Sequence, residues 1–391
     1  MRDFKHWKDI ALVLFVFLIL LVVIVKHATA EPWSVYWDRE WRTPSSPPPV
    51  NEIAECQVSV NGMTALQFSC YDGFVDRMRD ADSRHIPLSY LCVHGVQQSW
   101  AEVENVYWRT LYDRLYPEYI LRDIHGEMVY CQQYDLWLTN PTIPGFADII
   151  ADVVADAVRD GPWDRDFTGF MLDWWDWSYP DWPCRPSWEC TDHIDMNGDG
   201  VPYGDDWREW ELYRQAGIEL MRTLRERFTE LRGRESLVLV LNGTLAFRAP
   251  EFPPGLIDGQ VIEDLSYYIR DERDFIHLFS SFADVIDGPL QRDLIMISSK
   301  EEPTVEMAEF LQVLGCLMNT TVYREAHYPP LPEVEPLDLG EPTSDLMVLR
   351  DHGVVYRWYG PTMVWMQYTD TLPWRYYVVQ KGARSPVRSG G

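Results

Sequence analysis

The sequence predicts an α/β chain, a (β/α)8 TIM-type barrel with a C-terminal β-rich addition. Three observations predict it. From about residue 57 short apolar runs alternate with amphipathic segments, the pattern of a parallel sheet wound with helices. No G-x-G-x-x-G follows the first run, so nothing favours a dinucleotide-binding open sheet. The tail at 345–380 changes to strict apolar–polar alternation punctuated by His352-Gly353 and Gly360-Pro361, which reads as antiparallel strands. With 391 residues the chain has room for a barrel of roughly 250 residues and an addition.

At the amino end, Arg2, Lys5 and Lys8 precede an unbroken apolar run from Ile10 to Val25, then Lys26 and Ala28-Thr-Ala30. This is the layout of a secretory signal, either cleaved or kept as a signal anchor. Both place the remainder outside the cytoplasm, with membrane contact only through that segment. The expected boundaries are residues 1–30 for the signal, 31–56 for an extension with a Pro-rich linker, 57–330 for the barrel and 331–391 for the β-rich subdomain and tail.

Within the barrel the candidate strands are Ala65–Ser69, Pro87–Val93, Tyr119–Leu121, Phe167–Leu172, Leu237–Leu241, Gln260–Ile262, Leu294–Ile297 and Thr321–Tyr323. Helical spacing marks Gly73–Ala81, Ile149–Val158, Trp207–Leu231, Phe275–Val285 and Val305–Leu317. In Trp207–Leu231 the residues Leu212, Ile218, Leu220, Met221, Leu224 and Phe228 make the apolar side.

Composition bounds the partner. Against 34 Lys+Arg stand 61 Asp+Glu, a formal charge of −27, which disfavours nucleic acid because phosphate binding needs clustered cations. Eighteen Trp and 21 Tyr are plentiful; a large barrel buries many aromatics, yet several Trp lie beside Asp, Pro and Arg in loop-like stretches, where burial alone explains less. Of seven cysteines none forms C-x-x-C, so zinc and redox readings are weak. Cys184 and Cys190 suit a local disulfide, with Cys56–Cys70 a second pairing. Asn242-Gly-Thr244 and Asn319-Thr-Thr321 match the N-glycosylation pattern.

In a barrel of this type the chemistry sits at the carboxyl ends of the strands, so the residue that ends each strand matters. FTGFMLDWWDWS at 167–178 is the informative case. An apolar strand runs into Asp173, then Trp174, Trp175, Asp176 and Trp177. Charge at the rim of an apolar layer is costly unless paired or solvated, and indole faces beside carboxylates suit a sugar-binding cleft. Glycoside hydrolysis uses two carboxyl groups across the scissile bond. Asp173 is the expected nucleophile and Glu263 the expected general acid, with Asp264 and Glu325 as substitutes. Substrate contacts are expected from Trp174, Trp175, Trp177, Asp176, Asp123, Asn242 and Glu325. His94 follows the second candidate strand. The plainer alternative for each acid is a rim ion pair with Arg122, Arg270 or Arg324.

A second signal follows in the loop from Asp195 to Asp206. Its D-x-N-x-D-G start and acid at position twelve are the calcium-loop pattern of alternating oxygen ligands around a Gly turn. The predicted ligands are Asp195, Asn197, Asp199, the carbonyl of Val201 and Asp206, holding a structural Ca²⁺. An Asn/Asp/Gly-rich turn without metal is the alternative.

These motifs resemble a known group. FTGFMLDWWDW is similar to the G-(V/L)-F-L-D strand-four motif of extracellular (β/α)8 glycoside hydrolases, among them hypothetical glycosyl hydrolase family 15 and, more distantly, the endo-α-1,4-polygalactosaminidases. YILRDIHGEMVY, Leu136–Pro141 ahead of a helix, and the acidic loop before Asp206-Trp207 carry the likeness across about residues 60–330. By that resemblance Asp173 is the strand-four acid and Glu263 lies where related barrels carry a strand-six acid. The expected activity is therefore an exported glycosidase acting on a poly- or oligosaccharide. The rival is a non-catalytic carbohydrate-binding or surface-assembly protein on a degenerate barrel. A metal-dependent hydrolase ranks last, since the nine His show no H-x-H or H-x-x-x-H pair.

Overall fold

The computed structural model describes residues 35–38, 58–61, 86–102, 106–131, 135–160, 169–173, 194–203, 206–232, 237–242, 256–263, 269, 271–286, 294–299, 303–318, 321–324, 332–337, 339–340, 342–370, 373–381, 386 and 388–390. From the amino end come β1 (Val35–Asp38), β2 (Val58–Asn61), β3 (Ile86–Cys92) and β4 (Gly95–Val96), then α1 (Val106–Leu115). Next are β5 (Arg122–Asp123), β6 (Tyr130–Cys131), β7 (Leu136–Leu138), α2 (Phe146–Asp160), β8 (Gly169–Asp173) and β9 (Ile194–Asp195). The long helix α3 (Trp207–Arg232) precedes β10 (Val238–Asn242) and β11 (Gly259–Glu263). Then follow α4 (Glu272–Ile286), β12 (Leu294–Ser299), α5 (Val305–Met318) and β13 (Thr321–Arg324). The tail gives β14 (Met347–Leu349), β15 (Val354–Tyr359), β16 (Thr362–Gln367), β17 (Arg375–Gln380) and β18 (Arg388–Gly390).

Eight strands form one sheet in the order β1-β2-β3-β8-β10-β11-β12-β13, and every neighbouring pair is parallel. The two ends of that order, β1 and β13, approach each other with Cα separations within 8 Å. Strands four to eight are those expected from the sequence. The first three are not. Val35–Asp38 lies in the segment expected to be an extension, yet it is the first strand of the sheet. Val58–Asn61 is the second, and Ile86–Cys92, expected second, is the third. Tyr119–Leu121 joins no strand of the large sheet; Ile120 bridges Thr139, while Arg122-Asp123 pairs antiparallel with Ile194-Asp195. The expected strand at 65–69 and helix at 73–81 lie outside the described residues, as do the signal at 1–30, Cys184–Cys190 and Cys56–Cys70. Cys131 and Cys316 are not disulfide-bonded. Among the described residues no helix is long and apolar enough to cross a membrane.

The two faces of the sheet have different neighbours. Leu91, Phe170, Leu172, Leu239 and Leu241 share one apolar core with α1, α2 and α3, where Phe170 meets Phe228 edge-on at 5.2 Å. Leu88, Met171, Val240 and Val261, on the opposite face by register, are buried but outside that core. At the amino edge, Arg225 of α3 donates to the carbonyls of Leu256 (2.6 Å) and Leu237 (2.8 Å) and pairs with Asp258 at 2.5 Å. Asp258 also accepts the amide of Leu239, so one side chain of α3 ties the starts of β10 and β11 together.

The tail is a five-stranded antiparallel meander in the order β14-β15-β16-β17-β18, as its alternation predicts. It is not a detached module. Val355, Val364, Met366, Trp374 and Tyr376 share a core with Phe275, Phe279 and Phe282 of α4 and Phe310 and Leu314 of α5. Arg357, only 2 % exposed, donates to the carbonyls of Leu317 and Ser344 at 3.1 Å each. The Tyr359 hydroxyl donates to the carbonyl of Cys316. Two residues of β15 thus satisfy carbonyls in the last turn of α5, groups a helix end leaves open.

Gly169 opens β8 where the neighbouring strand comes closest. A Cβ there would stand 1.8 Å from the carbonyl oxygen of Val238, so only glycine permits this approach. Gly169→Ala is expected to cost about 1–3 kcal/mol, the usual range for overpacking. An unchanged urea midpoint for the variant would contradict it.

Candidate active site

All eight strands of the sheet run parallel, so their carboxyl ends lie along one edge. Seven of them end on a polar residue: Asp38, Asn61, Asp173, Asn242, Glu263, Ser299 and Arg324. The eighth, β3, ends at Cys92, with His94 two residues further on.

Asp173 is the centre of this edge among the described residues. It is 4 % exposed, and its carboxylate is met from both flanking strands. On one side the Tyr90 hydroxyl of β3 donates to Oδ2. On the other, Asn242 Nδ2 of β10 donates to Oδ1 at 2.5 Å. The ladder explains why they meet. Cys92 is level with Asp173, so Tyr90 shares its face two residues back; Leu241 is level with Leu172, so Asn242 stands level with Asp173. Hydrogen bonds donated to a carboxylate favour its charged form.

Behind the carboxylate lies His94, fully buried. Burial pushes its ring down from the ordinary value to about 3, partly opposed by a hydrogen bond to the backbone of Asp173. The imidazole is therefore neutral at physiological pH. Its Nε2 lies 3.4 Å from the Tyr213 hydroxyl of α3. The backbone on either side is tied to the neighbouring ribbon: Thr139 donates its amide to the His94 carbonyl and its hydroxyl to that of Val93.

Glu263, expected as the partner acid, ends β11. Asn242 is level with Val261, so by strand alternation residue 263 is a same-face position with Asp173 and Asn242. Trp174, Trp175, Asp176, Trp177, Asp264 and Glu325 lie outside the described residues. Asp123 belongs to the β5–β9 ribbon and not to a strand of the parallel sheet. Its Oδ1 accepts the amides of His125 (2.9 Å) and Glu127 (2.8 Å), so its carboxylate stabilises its own turn. Asn242 is 3 % exposed and bonded to Asp173; as a glycosylation acceptor it is inaccessible in the folded chain. Two surface grooves, one between residues 141–147 and α3 and one between α4 and Arg350-Asp351, have no wall in common with Asp173.

The acidic loop after β9 is compact. Asp195 Oδ1 accepts the amides of Gly198 (2.6 Å) and Asp199 (3.2 Å), and Oδ2 that of Gly200 (2.7 Å). Gly198 and Gly200 have φ of 76° and 82°, the left-handed turns that the loop pattern asks of glycine. Asp206 caps α3, its Oδ1 accepting the Arg208 amide at 2.9 Å. Glu209, absent from the expected ligand set, is fully buried and takes the Asn197 amide on Oε1 at 2.8 Å. Burial pushes Glu209 up to about 7, against the lowering effect of the amides of Asn197 and Met196, with the charge of Asp195 and a side-chain hydrogen bond to it adding to the rise.

No family model matches the sequence, and no curated protein matches it. Solved structures align with it at low identity. The cycloalternan-degrading enzyme from Trueperella pyogenes aligns at TM-score 0.46 and 10% identity over 76% of this chain and 44% of its own. A noncanonic maltogenic α-amylase, AmyB, from Thermotoga neapolitana aligns at 0.45 and 10% over 89% and 85%. The GH36 α-galactosidase AgaA from Geobacillus stearothermophilus aligns at 0.48 and 8% over 91% and 50%. The chain thus spans less than half the length of the first of these. None of the three comes from the two groups that its motifs resemble.

His94 also sets a pH dependence of stability. The native ring stays neutral down to about pH 3, whereas in the unfolded chain it protonates below about 6.5. Between those values the unfolded state binds the extra proton, so stability falls as pH falls, by at most about 1.4 kcal/mol per pH unit. Above about 6.5 the group contributes no slope. His94→Gln should flatten melting temperature against pH from about 6.5 to 4 relative to the parent; parallel curves would remove His94 as a cause.

Proposed function

We propose that this chain is a glycoside hydrolase whose sheet closes as a (β/α)8 barrel, with Asp173 and Glu263 as its carboxyl pair. The observation that carries the reading is Asp173 itself. It is a buried carboxylate at the carboxyl end of a central strand, held by one side-chain donor from each neighbouring strand. Two neutral donors, the Tyr90 hydroxyl and the Asn242 amide, orient it and favour its charged form. That is the requirement for a nucleophile, or for a base that activates water.

In this mechanism Asn242 and Tyr90 fix the carboxylate plane, and the neutral His94 packs behind it without adding charge. Glu263, two strands away at a same-face position, supplies the proton to the departing glycosidic oxygen. The indoles at 174, 175 and 177 stack on sugar rings, with Asp176 and Glu325 at the hydroxyls. The substrate is a poly- or oligosaccharide. The charged and apolar amino-terminal segment exports the chain, and the finer family reading, toward hypothetical glycosyl hydrolase family 15, rests on the motifs around Asp173.

The test is hydrolysis of a panel of α- and β-linked polysaccharides, amino-sugar polymers included, by the purified chain. On any substrate cleaved, Asp173→Asn and Glu263→Gln should each reduce kcat by roughly 10²–10⁴-fold with unchanged thermal unfolding. Full activity in the Asp173 variant removes it from the mechanism. Sugar binding without turnover across the panel would instead make the chain a carbohydrate-binding module.

A further inference from the structure

The acidic loop holds one buried carboxyl oxygen that meets no N–H or O–H donor at hydrogen-bond geometry among the described residues. Glu209 is fully buried; Oε1 accepts the Asn197 amide, while Oε2 is that oxygen. It stands within side-chain hydrogen-bond reach of the Asp195 carboxyl. Two carboxyl groups held this close must share either a proton or a cation, and a cation is the partner that both accept while charged.

Spacing gives the reason it is Glu209. In a twelve-residue calcium loop the exiting helix starts at position nine, and the bidentate Glu at position twelve sits three residues into it. Here the helix cap is Asp206, its Oδ1 committed to the Arg208 amide, and the residue three further on is Glu209. The loop is therefore a lengthened one. Positions one to seven, Asp195 to Val201, keep the usual spacing, and three extra residues separate them from the cap.

We infer that this loop binds a divalent cation of the calcium type, with Glu209, rather than Asp206, as the carboxylate that closes it. The remaining ligands are Asp195, Asn197, Asp199 and the carbonyl of residue 201, all oxygen donors as Ca²⁺ requires. Among the described residues no three acidic, imidazole or thiol groups already surround one point. Asn197 and Asp199 are turned onto each other and onto loop amides, and cation binding draws them in toward the Asp195–Glu209 pair. The ion's role is structural, because Glu209 shares a helix face with Tyr213, which meets His94 behind Asp173.

The experiment uses the purified chain and CaCl₂, with MgCl₂ and EDTA as controls. Calcium should raise the melting temperature and Mg²⁺ should do so far less, since the smaller ion demands near-ideal octahedral geometry. Tb³⁺ should give luminescence sensitised by nearby Trp210, displaced by Ca²⁺. Glu209→Gln should abolish the calcium shift, and Asp206→Asn, which keeps the cap, should retain most of it. If Glu209→Gln does not fold, Glu209→Asp should still fold and bind calcium at least tenfold more weakly. No calcium shift and no terbium signal in the parent would overturn the site, leaving Glu209 and Asp195 as a proton-sharing carboxyl pair. A shift lost in Asp206→Asn but kept in Glu209→Gln would overturn the assignment of Glu209.

Discussion

A carboxylate buried at the end of a central strand must be met by donors, or it costs more than the fold can offset. Asp173 imposes that requirement, and much of the surrounding structure meets it. Tyr90 and Asn242 reach it only because β3, β8 and β10 are neighbours in one fixed register. That register in turn needs Gly169, where β10 leaves no space for a Cβ. His94 closes the back of the site by contributing a hydrogen bond to the Asp173 backbone while remaining uncharged. Slip one strand by one residue and the donors turn to the opposite face.

This dependence explains which parts of the site could be read from the sequence. Asp173, Asn242 and Glu263 end strands, and a polar residue closing an apolar run is visible without a structure. Tyr90 is not, because in IPLSYLC it looks like one more apolar residue, and its hydroxyl matters only once a neighbour is known. The available signal was parity: Tyr90 precedes the strand end by two and so shares its face. Glu209 was hidden similarly, inside the charged stripe of a helix whose cap fell at the position where a ligand was expected.

The fold was legible where helices separate the strands and obscure before that. From β8 onward each run is bounded by an amphipathic helix or a strongly polar end, so the boundaries agree within a residue or two. In the first part, β1 and β2 are four residues each, too short to show a period. β1 also sits near a Pro-rich stretch that reads as a linker. Meanwhile Tyr119–Leu121 is as apolar as a sheet strand, but it serves the ribbon that supports Val93 and His94. Missing β1 makes the strand before His94 the second, and counting 119–121 as the third separates it from β8. The contact of His94 with Asp173 makes sense only when His94 follows the third, next to β8.

Helix α3 gives the site its mechanical continuity. At about 1.5 Å per residue, its 26 residues reach nearly 40 Å, enough to run past the full height of the sheet. Its first turn holds Asp206 and Glu209 at the acidic loop; one turn on, Tyr213 faces His94. Further along, Arg225 clamps the starts of β10 and β11, and Phe228 packs on Phe170 of β8. The same rod thus fixes the amino ends of the strands and stands behind the carboxylate at their carboxyl ends. The acidic loop at the start of α3 is thereby joined to Asp173 through one continuous helix, by way of Tyr213 and His94.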